Sequence, residues 1–157
     1  MLERGLILIT LVAGAGVGFF WPTHSEQPAV ASSSTIEVTL NRSSDHHFYA
    51  TASVNGHGVR FLVDTGASEI ALTEEDARKI GLKFDPNKYQ LLGEGASGYV
   101  RGQYVDLDDI RLDGIDHGAA KAVVVEGADV SLLGQPFLEN LDEIVIRKGE
   151  MILRDQG

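Results

Sequence analysis

The chain contains no cysteine. Disulfides, thiolate catalysis and cysteine-based zinc sites are therefore excluded at the outset. Basic residues are scarce, with 13 Lys and Arg against 23 Asp and Glu and a formal net charge of -10. A surface that acidic argues against nucleic acid or anionic lipid as a partner. Aromatics make up only 7% of 157 residues, yet 43% of the chain is hydrophobic, enough for a packed core. Beyond residue 21 the apolar runs are short, and the chain as a whole carries 18 glycines. That pattern favours a β-rich fold over a helical bundle, and no internal repeat is evident.

The one long apolar run lies at the N-terminus. Gly5 to Trp21 carries no charge over 17 residues, near the lower limit for crossing hydrocarbon. Arg4 precedes it, and the next Lys or Arg is Arg42. The positive-inside rule then keeps the N-terminus in the cytoplasm and exports the rest. Residues 1–21 are read as a single-pass anchor in the inner (plasma) membrane, with the globular part on the periplasmic or exported side. A cleaved leader ending at Ala29-Val30-Ala31 is the rival, but its cut lies ten residues past Trp21. Gly14 and Gly18 stand at GxxxG spacing, which lets two helices approach closely. The plainer account is that small residues are common in export segments. Residues 22–34, rich in Pro, Ser and Ala, read as a flexible linker, and 35–157 as one globular domain.

Within that domain Thr35–Leu40 alternates as a strand. Phe48–Val54 and Val59–Val63 form a hairpin around Asn55-Gly56, a pair that tolerates positive φ. Ser68–Leu72 is a further strand. Thr73 caps a helix whose first turn is acidic and which Gly81 stops. Tyr99–Asp106, Asp109–Leu112 and Ala119–Val125 read as strands around turns at Asp113-Gly114 and Gly127. Gln135–Leu141 reads as a short helical turn, and Ile144–Arg147 with Met151–Arg154 as a final hairpin around Lys148-Gly149. His46 and His47 fall in an expected strand and point to opposite faces, so they do not share a metal. Asp106, Asp108 and Asp109 read as a solvated turn.

The chemistry is concentrated in Phe61-Leu62-Val63-Asp64-Thr65-Gly66-Ala67-Ser68. An acid directly after three apolar residues is held at the edge of a core, where burial disfavours the charged form. Gly66 permits a tight turn and leaves room beside the carboxylate. An isolated Asp-Thr-Gly is more often a strand-ending Asx turn. Here, however, the segment resembles the signature of the aspartic proteases, an apolar run followed by Asp-Thr-Gly-Ala/Ser. Ser131-Leu132-Leu133-Gly134-Gln135-Pro136-Phe137-Leu138 resembles that family's paired segment, two apolar residues and then Gly, which crosses behind the active-site loop. The order of elements from Phe48 to Arg154 agrees. The likeness is to the bacterial single-domain retropepsin-like group, many of which carry an N-terminal anchor.

This resemblance implies a mainly β, pepsin/retropepsin-like half-barrel with one or two short helices, acting as a homodimer. It implies Asp64 as the catalytic carboxylate, supported by Thr65, Gly66, Ala67, Leu133 and Gly134. It implies an aspartic endopeptidase acting on extended protein or peptide substrate, with no metal or organic cofactor. Two facing carboxylates are needed, and the chain has one Asp-Thr-Gly, so the second Asp64 is expected from another copy. Gly93-Glu94-Gly95-Ala96-Ser97-Gly98 formally matches a dinucleotide loop, but a strand-like run follows it where a helix is required. By resemblance it is instead the flap, and Ser68, Gly95, Ala96 and Ser97 are expected to touch substrate. Two departures stand out. Ala67 replaces a hydroxyl residue common in pepsin-like enzymes, which favours activity nearer neutral than strongly acid pH. Ser68 and Gln135 occupy positions where viral retropepsins pair Asp with Arg, so both ions are missing together. The competing class is a non-catalytic binding domain of the same fold.

Overall fold

The computed structural model describes residues 35–95 and 98–156. The expected anchor (1–21) and linker (22–34) lie outside the described residues, as do Ala96 and Ser97 of the flap tip. Among the described residues no helix is long and apolar enough to cross a membrane.

Ten strands and two short helices follow one another as β1 (Ile36–Asn41), β2 (Tyr49–Val54), β3 (His57–Val63), β4 (Ile70–Thr73), α1 (Glu74–Lys79), β5 (Gln90–Gly95), β6 (Gly98–Leu112), β7 (Ile115–Val125), β8 (Ser131–Leu133), α2 (Gln135–Leu138), β9 (Glu143–Arg147) and β10 (Glu150–Asp155). A 3-10 turn at Pro86–Lys88 precedes β5. Seven strands form one sheet in the order β2-β3-β8-β4-β7-β6-β5, and a β2–β6 pairing at Ser53↔Arg111 and Val54↔Ile110 curls it into a barrel-like wall. The other three form a separate sheet, β1-β10-β9.

Alternation fills the interior. Ala50, Ala52 and Val54 from β2 meet Val59, Phe61 and Val63 from β3, all buried. Phe61, Phe137, Ile70, Leu72 and Leu133 are fully enclosed, each contributing about 1.5–3 kcal/mol through burial. The hairpins turn where the glycine pairs predict: Asn55 (φ 49) and Gly56 (φ 80), Asp113 (φ 44) and Gly114 (φ 98), Lys148 (φ 49) and Gly149 (φ 85). Thr73 caps α1 by accepting from the Asp76 N–H at 3.0 Å, and Gly81 (φ 77) ends it.

Two expectations fail. Asp106, Asp108 and Asp109 are not in a turn but inside β6, which runs unbroken from Gly98 to Leu112 with a bulge between Leu107 and Ile110. The Asn55 side chain accepts from the Asp108 N–H at 2.9 Å and the Asp109 N–H at 3.2 Å, which stabilises the bulge. The extra residue resets the alternation, so Leu107, Ile110 and Leu112 all face the core. His46 and His47 are likewise in a turn, not a strand. His46 has φ 69, and the Asp45 carboxylate accepts from the His47 N–H at 3.1 Å and from the Tyr49 hydroxyl at 2.8 Å.

Candidate active site

Asp64 leaves the end of β3, where Val63 is the last buried residue. Its loop is held from two directions. From within, the Gly66 N–H donates to Asp64 Oδ1 at 2.8 Å, and the Ala67 N–H to the Asp64 carbonyl at 3.2 Å. From behind, β8 pairs parallel with β3 and antiparallel with β4. The Asp64 N–H donates to the Leu133 carbonyl at 3.1 Å, and the Gln135 N–H to the Ala67 carbonyl at 2.8 Å. The Gln135 side chain donates to the Thr65 carbonyl at 2.6 Å. A side chain in place of an arginine thus still fastens the loop, through a neutral hydrogen bond.

Gly134 is glycine for space rather than for conformation. Its φ of -96 is open to any residue, but a Cβ there would sit 2.7 Å from the Ala67 carbonyl oxygen and closer still to that of Glu69. Leu133 beside it is fully buried. Ser131 at the head of β8 accepts from the Thr73 N–H at 3.1 Å and donates to Asp76 at 2.6 Å, tying β8 to α1.

In front of the loop lies an open cleft of about 570 Å³. Asp64, Gly66, Ala67, Ser68 and Gly95 line it, while Thr65 is exposed. Asp64 is half-buried rather than enclosed. Among the described residues its carboxylate receives one hydrogen bond, on Oδ1. The β5–β6 hairpin lines the cleft through Leu92, Gly93, Glu94, Gly95 and Val100, with Gly95 opposite Gly98. A strand, β6, therefore follows the glycine-rich segment where a dinucleotide loop must open a helix. At the hairpin's base Gly102 packs so closely on β7 that a Cβ would meet Leu92 Cδ1 at 3.0 Å and the Val124 carbonyl oxygen closer still.

Several cleft residues escape sequence reasoning. Val123, Val125, Val130 and Leu132 form an apolar wall. Tyr104 and Glu69 join across the cleft through a 3.2 Å hydrogen bond, and the Glu69 charge raises the Tyr104 phenol above its ordinary value. Period-2 alternation marks these strands as two-faced, but only the fold says that the second face is a cleft. Among the described residues no three His, Asp or Glu side chains gather to hold a metal.

The family model described as "gag-polyprotein putative aspartyl protease" matches residues 50–140, which span the Asp64 loop, the flap and the β8–Gly134 segment. The chain belongs to the retropepsin-like aspartic protease family. A solved structure titled as a retropepsin-like aspartic protease from Rickettsia conorii superposes on this family member with a TM-score of 0.65. It is 36% identical, over 77% of this chain and 92% of that one. An uncharacterized protein of Rickettsia prowazekii (strain Madrid E) is 37% identical over 117 residues, 74% of this chain and 51% of its own. An uncharacterized protein from the cobV 5' region of a Sinorhizobium species is 40% identical over 121 residues, 76% of this chain and 52% of its own. This retropepsin-like chain spans about half the length of those curated relatives.

Proposed function

We propose that the protein is an aspartic endopeptidase that cleaves extended segments and whose site is completed by a second copy of the chain. The observation that carries this reading is the half-buried Asp64 carboxylate facing an open cleft, in a loop locked by five backbone and side-chain hydrogen bonds. Such a carboxylate is preorganised but incomplete. Two carboxylates face to face share one proton. One then takes a proton from a bound water as the water attacks the peptide carbonyl carbon. The other gives its proton to the carbonyl oxygen. The tetrahedral adduct then collapses as the first carboxyl passes its proton to the leaving nitrogen and the second takes a proton back from a hydroxyl, which releases the amine and the new acid. No covalent enzyme intermediate forms, and this chemistry requires no metal or organic cofactor. A cleft walled by strands and lined by a hairpin suits an extended backbone, recognised by strand addition, and the valine and leucine wall suits apolar side chains beside the cut.

The deciding experiment incubates wild type and Asp64→Asn with an unstructured protein at several pH values. Wild type should cleave, with specific activity rising with enzyme concentration, and Asp64→Asn should not. Equal cleavage by both, or none by either, defeats the reading and favours a non-catalytic binding domain. The uncharged run Gly5–Trp21 behind Arg4 supports placing this activity on the exported face of the inner membrane. Protease protection of the full chain in spheroplasts tests that placement.

A further inference from the structure

Behind the active-site loop, on the side away from the cleft, the His117 imidazole stands near the start of β7. Its ring lies nearly parallel to that of Phe137 in α2, with centroids 5.7 Å apart. Nε2 is 2.6 Å from the Pro136 carbonyl oxygen. The Asn140 side-chain nitrogen donates to the same oxygen at 2.7 Å. Nδ1 is buried and meets no partner among the described residues. Asp116 and Asp155 line a recess beside the ring, but neither bonds Nδ1. These contacts fix the tautomer. A carbonyl oxygen only accepts, so Nε2 must carry the proton. The other neutral tautomer would press a lone pair on that oxygen and leave a buried N–H unpaired at Nδ1. A doubly protonated ring would leave the same N–H unpaired. The 2.9 Å approach of Asn140 Nδ2 to Nε2 is then two donors converging on one acceptor. Nδ1 is left as a bare, buried acceptor, which packing alone does not favour. A side chain that served only packing would be apolar here, as Phe137 beside it is.

We propose that His117 is a positioning residue for Asp64, acting through the Pro136 carbonyl and Gln135. The proposal rests on the reading of Asp64 as a catalytic carboxylate, and adds what orients the residue that fastens its loop. Proline has no N–H, so the Pro136 backbone can be held by hydrogen bonds only through its carbonyl. His117 and Asn140 both grip that carbonyl. Gln135, one residue earlier, donates its N–H to the Ala67 carbonyl and its side chain to the Thr65 carbonyl. It therefore holds the loop on either side of Gly66. A rotation of the Pro136 peptide would turn Gln135 away from both acceptors. β7 itself continues to Val123 and Val125, which line the cleft. The imidazole thus ties the strand that forms the cleft wall to the helix turn that clamps the loop.

His117→Phe keeps a ring against Phe137 and removes both nitrogens. It loses one hydrogen bond and relieves one orphaned acceptor, so its melting temperature should be no lower than that of wild type. Its kcat should nevertheless fall about tenfold with KM unchanged, because the loop shifts by a fraction of an ångström. His117→Gln sets an amide N–H near the place of Nε2–H and should restore kcat. Two further readouts need no cleavage. In the nitrogen NMR spectrum of the neutral imidazole the proton should sit on Nε2. In His117→Phe the Ala67 and Gln135 amides should exchange with solvent about tenfold faster, with those of the β2–β3 hairpin unchanged. A proton on Nδ1, a wild-type kcat in His117→Phe, or losses of melting temperature and kcat that His117→Gln does not restore would each overturn the proposal. If wild type cleaves nothing, the peptidase reading falls, and the exchange rates alone decide whether His117 holds the loop. Unchanged exchange at Ala67 and Gln135 then overturns the clamp as well.

Discussion

Gly134→Ala isolates how the Asp64 loop is held. Its backbone angles accept alanine, so the whole effect comes from one methyl group pressed against two carbonyl oxygens. With the Ala67 oxygen 2.7 Å from the new Cβ and ordinary contact beginning near 3.4 Å, β8 and the loop must part by roughly 1 Å, given the still closer Glu69 oxygen. Overpacking of that kind costs about 1–3 kcal/mol. The separation also strains the Asp64–Leu133 and Gln135–Ala67 hydrogen bonds, each worth about 1 kcal/mol. A total near 3 kcal/mol lowers the melting temperature by about 10 °C in a domain of this size. Displacement of the carboxylate by about 1 Å should lower kcat/KM roughly 100-fold. Gly58→Ala is the control, since its Cβ meets only Thr51 Cγ2 at an ordinary 3.7 Å. Urea unfolding and a peptide-cleavage assay on both variants give the two numbers. If Gly134→Ala unfolds within about 0.5 kcal/mol of wild type and cleaves normally, the backing-strand account is wrong.

Two other perturbations probe separate parts of the fold. Gln135→Ala removes the bond to the Thr65 carbonyl, so stability should fall by about 1 kcal/mol in denaturant titrations and kcat should drop more than KM changes. The Tyr49 hydroxyl and the His47 N–H hold Asp45 down at about 2 from 3.8. A depressed folded-state value means a contribution present above about pH 4 and lost as the pH falls toward 2. Asp45→Asn should therefore flatten the loss of stability across that window, as read from urea midpoints at pH 5, 3 and 2, and an unchanged slope would count against the turn.

Much of this was legible because it is local. Asn55-Gly56, Asp113-Gly114 and Lys148-Gly149 carry their own positive φ, and Thr73 carries its own cap, so the hairpins and α1 follow from neighbours in sequence. The Asp64 loop and the Ser131–Gly134 segment were legible as a pair only through their joint resemblance to the two signature segments of the aspartic proteases. The misreadings have different causes, one distant and one local. Asp108 and Asp109 look like a turn until Asn55, more than fifty positions earlier, supplies the acceptor that keeps them in a bulged strand. His46 and His47 look like strand until the Ser43 carbonyl accepts from the His46 N–H and the Asp45 carboxylate from the His47 N–H, which closes a turn. The Tyr104–Glu69 link and the bond from Gln135 to Thr65 join side chains that no periodicity relates. The half-exposure of Asp64 was missed because an apolar strand before an acid predicts how the strand is buried and says nothing of what faces the carboxylate.

The fastening of the Asp64 loop also sets a time order. The loop is a few residues long, yet Gln135, which grips Thr65, lies 70 positions further along the chain. Closing a segment of that length costs about 4 kcal/mol of chain entropy before any contact repays it. Hairpins such as β2–β3 meet no such barrier and should form first, while the β3–β8 junction waits for the C-terminal third of the domain. Asp64 is thus synthesised and placed on a strand well before its loop is fixed. A growing or partly folded chain should carry the motif without the geometry, which is complete only once β8 has docked behind the loop.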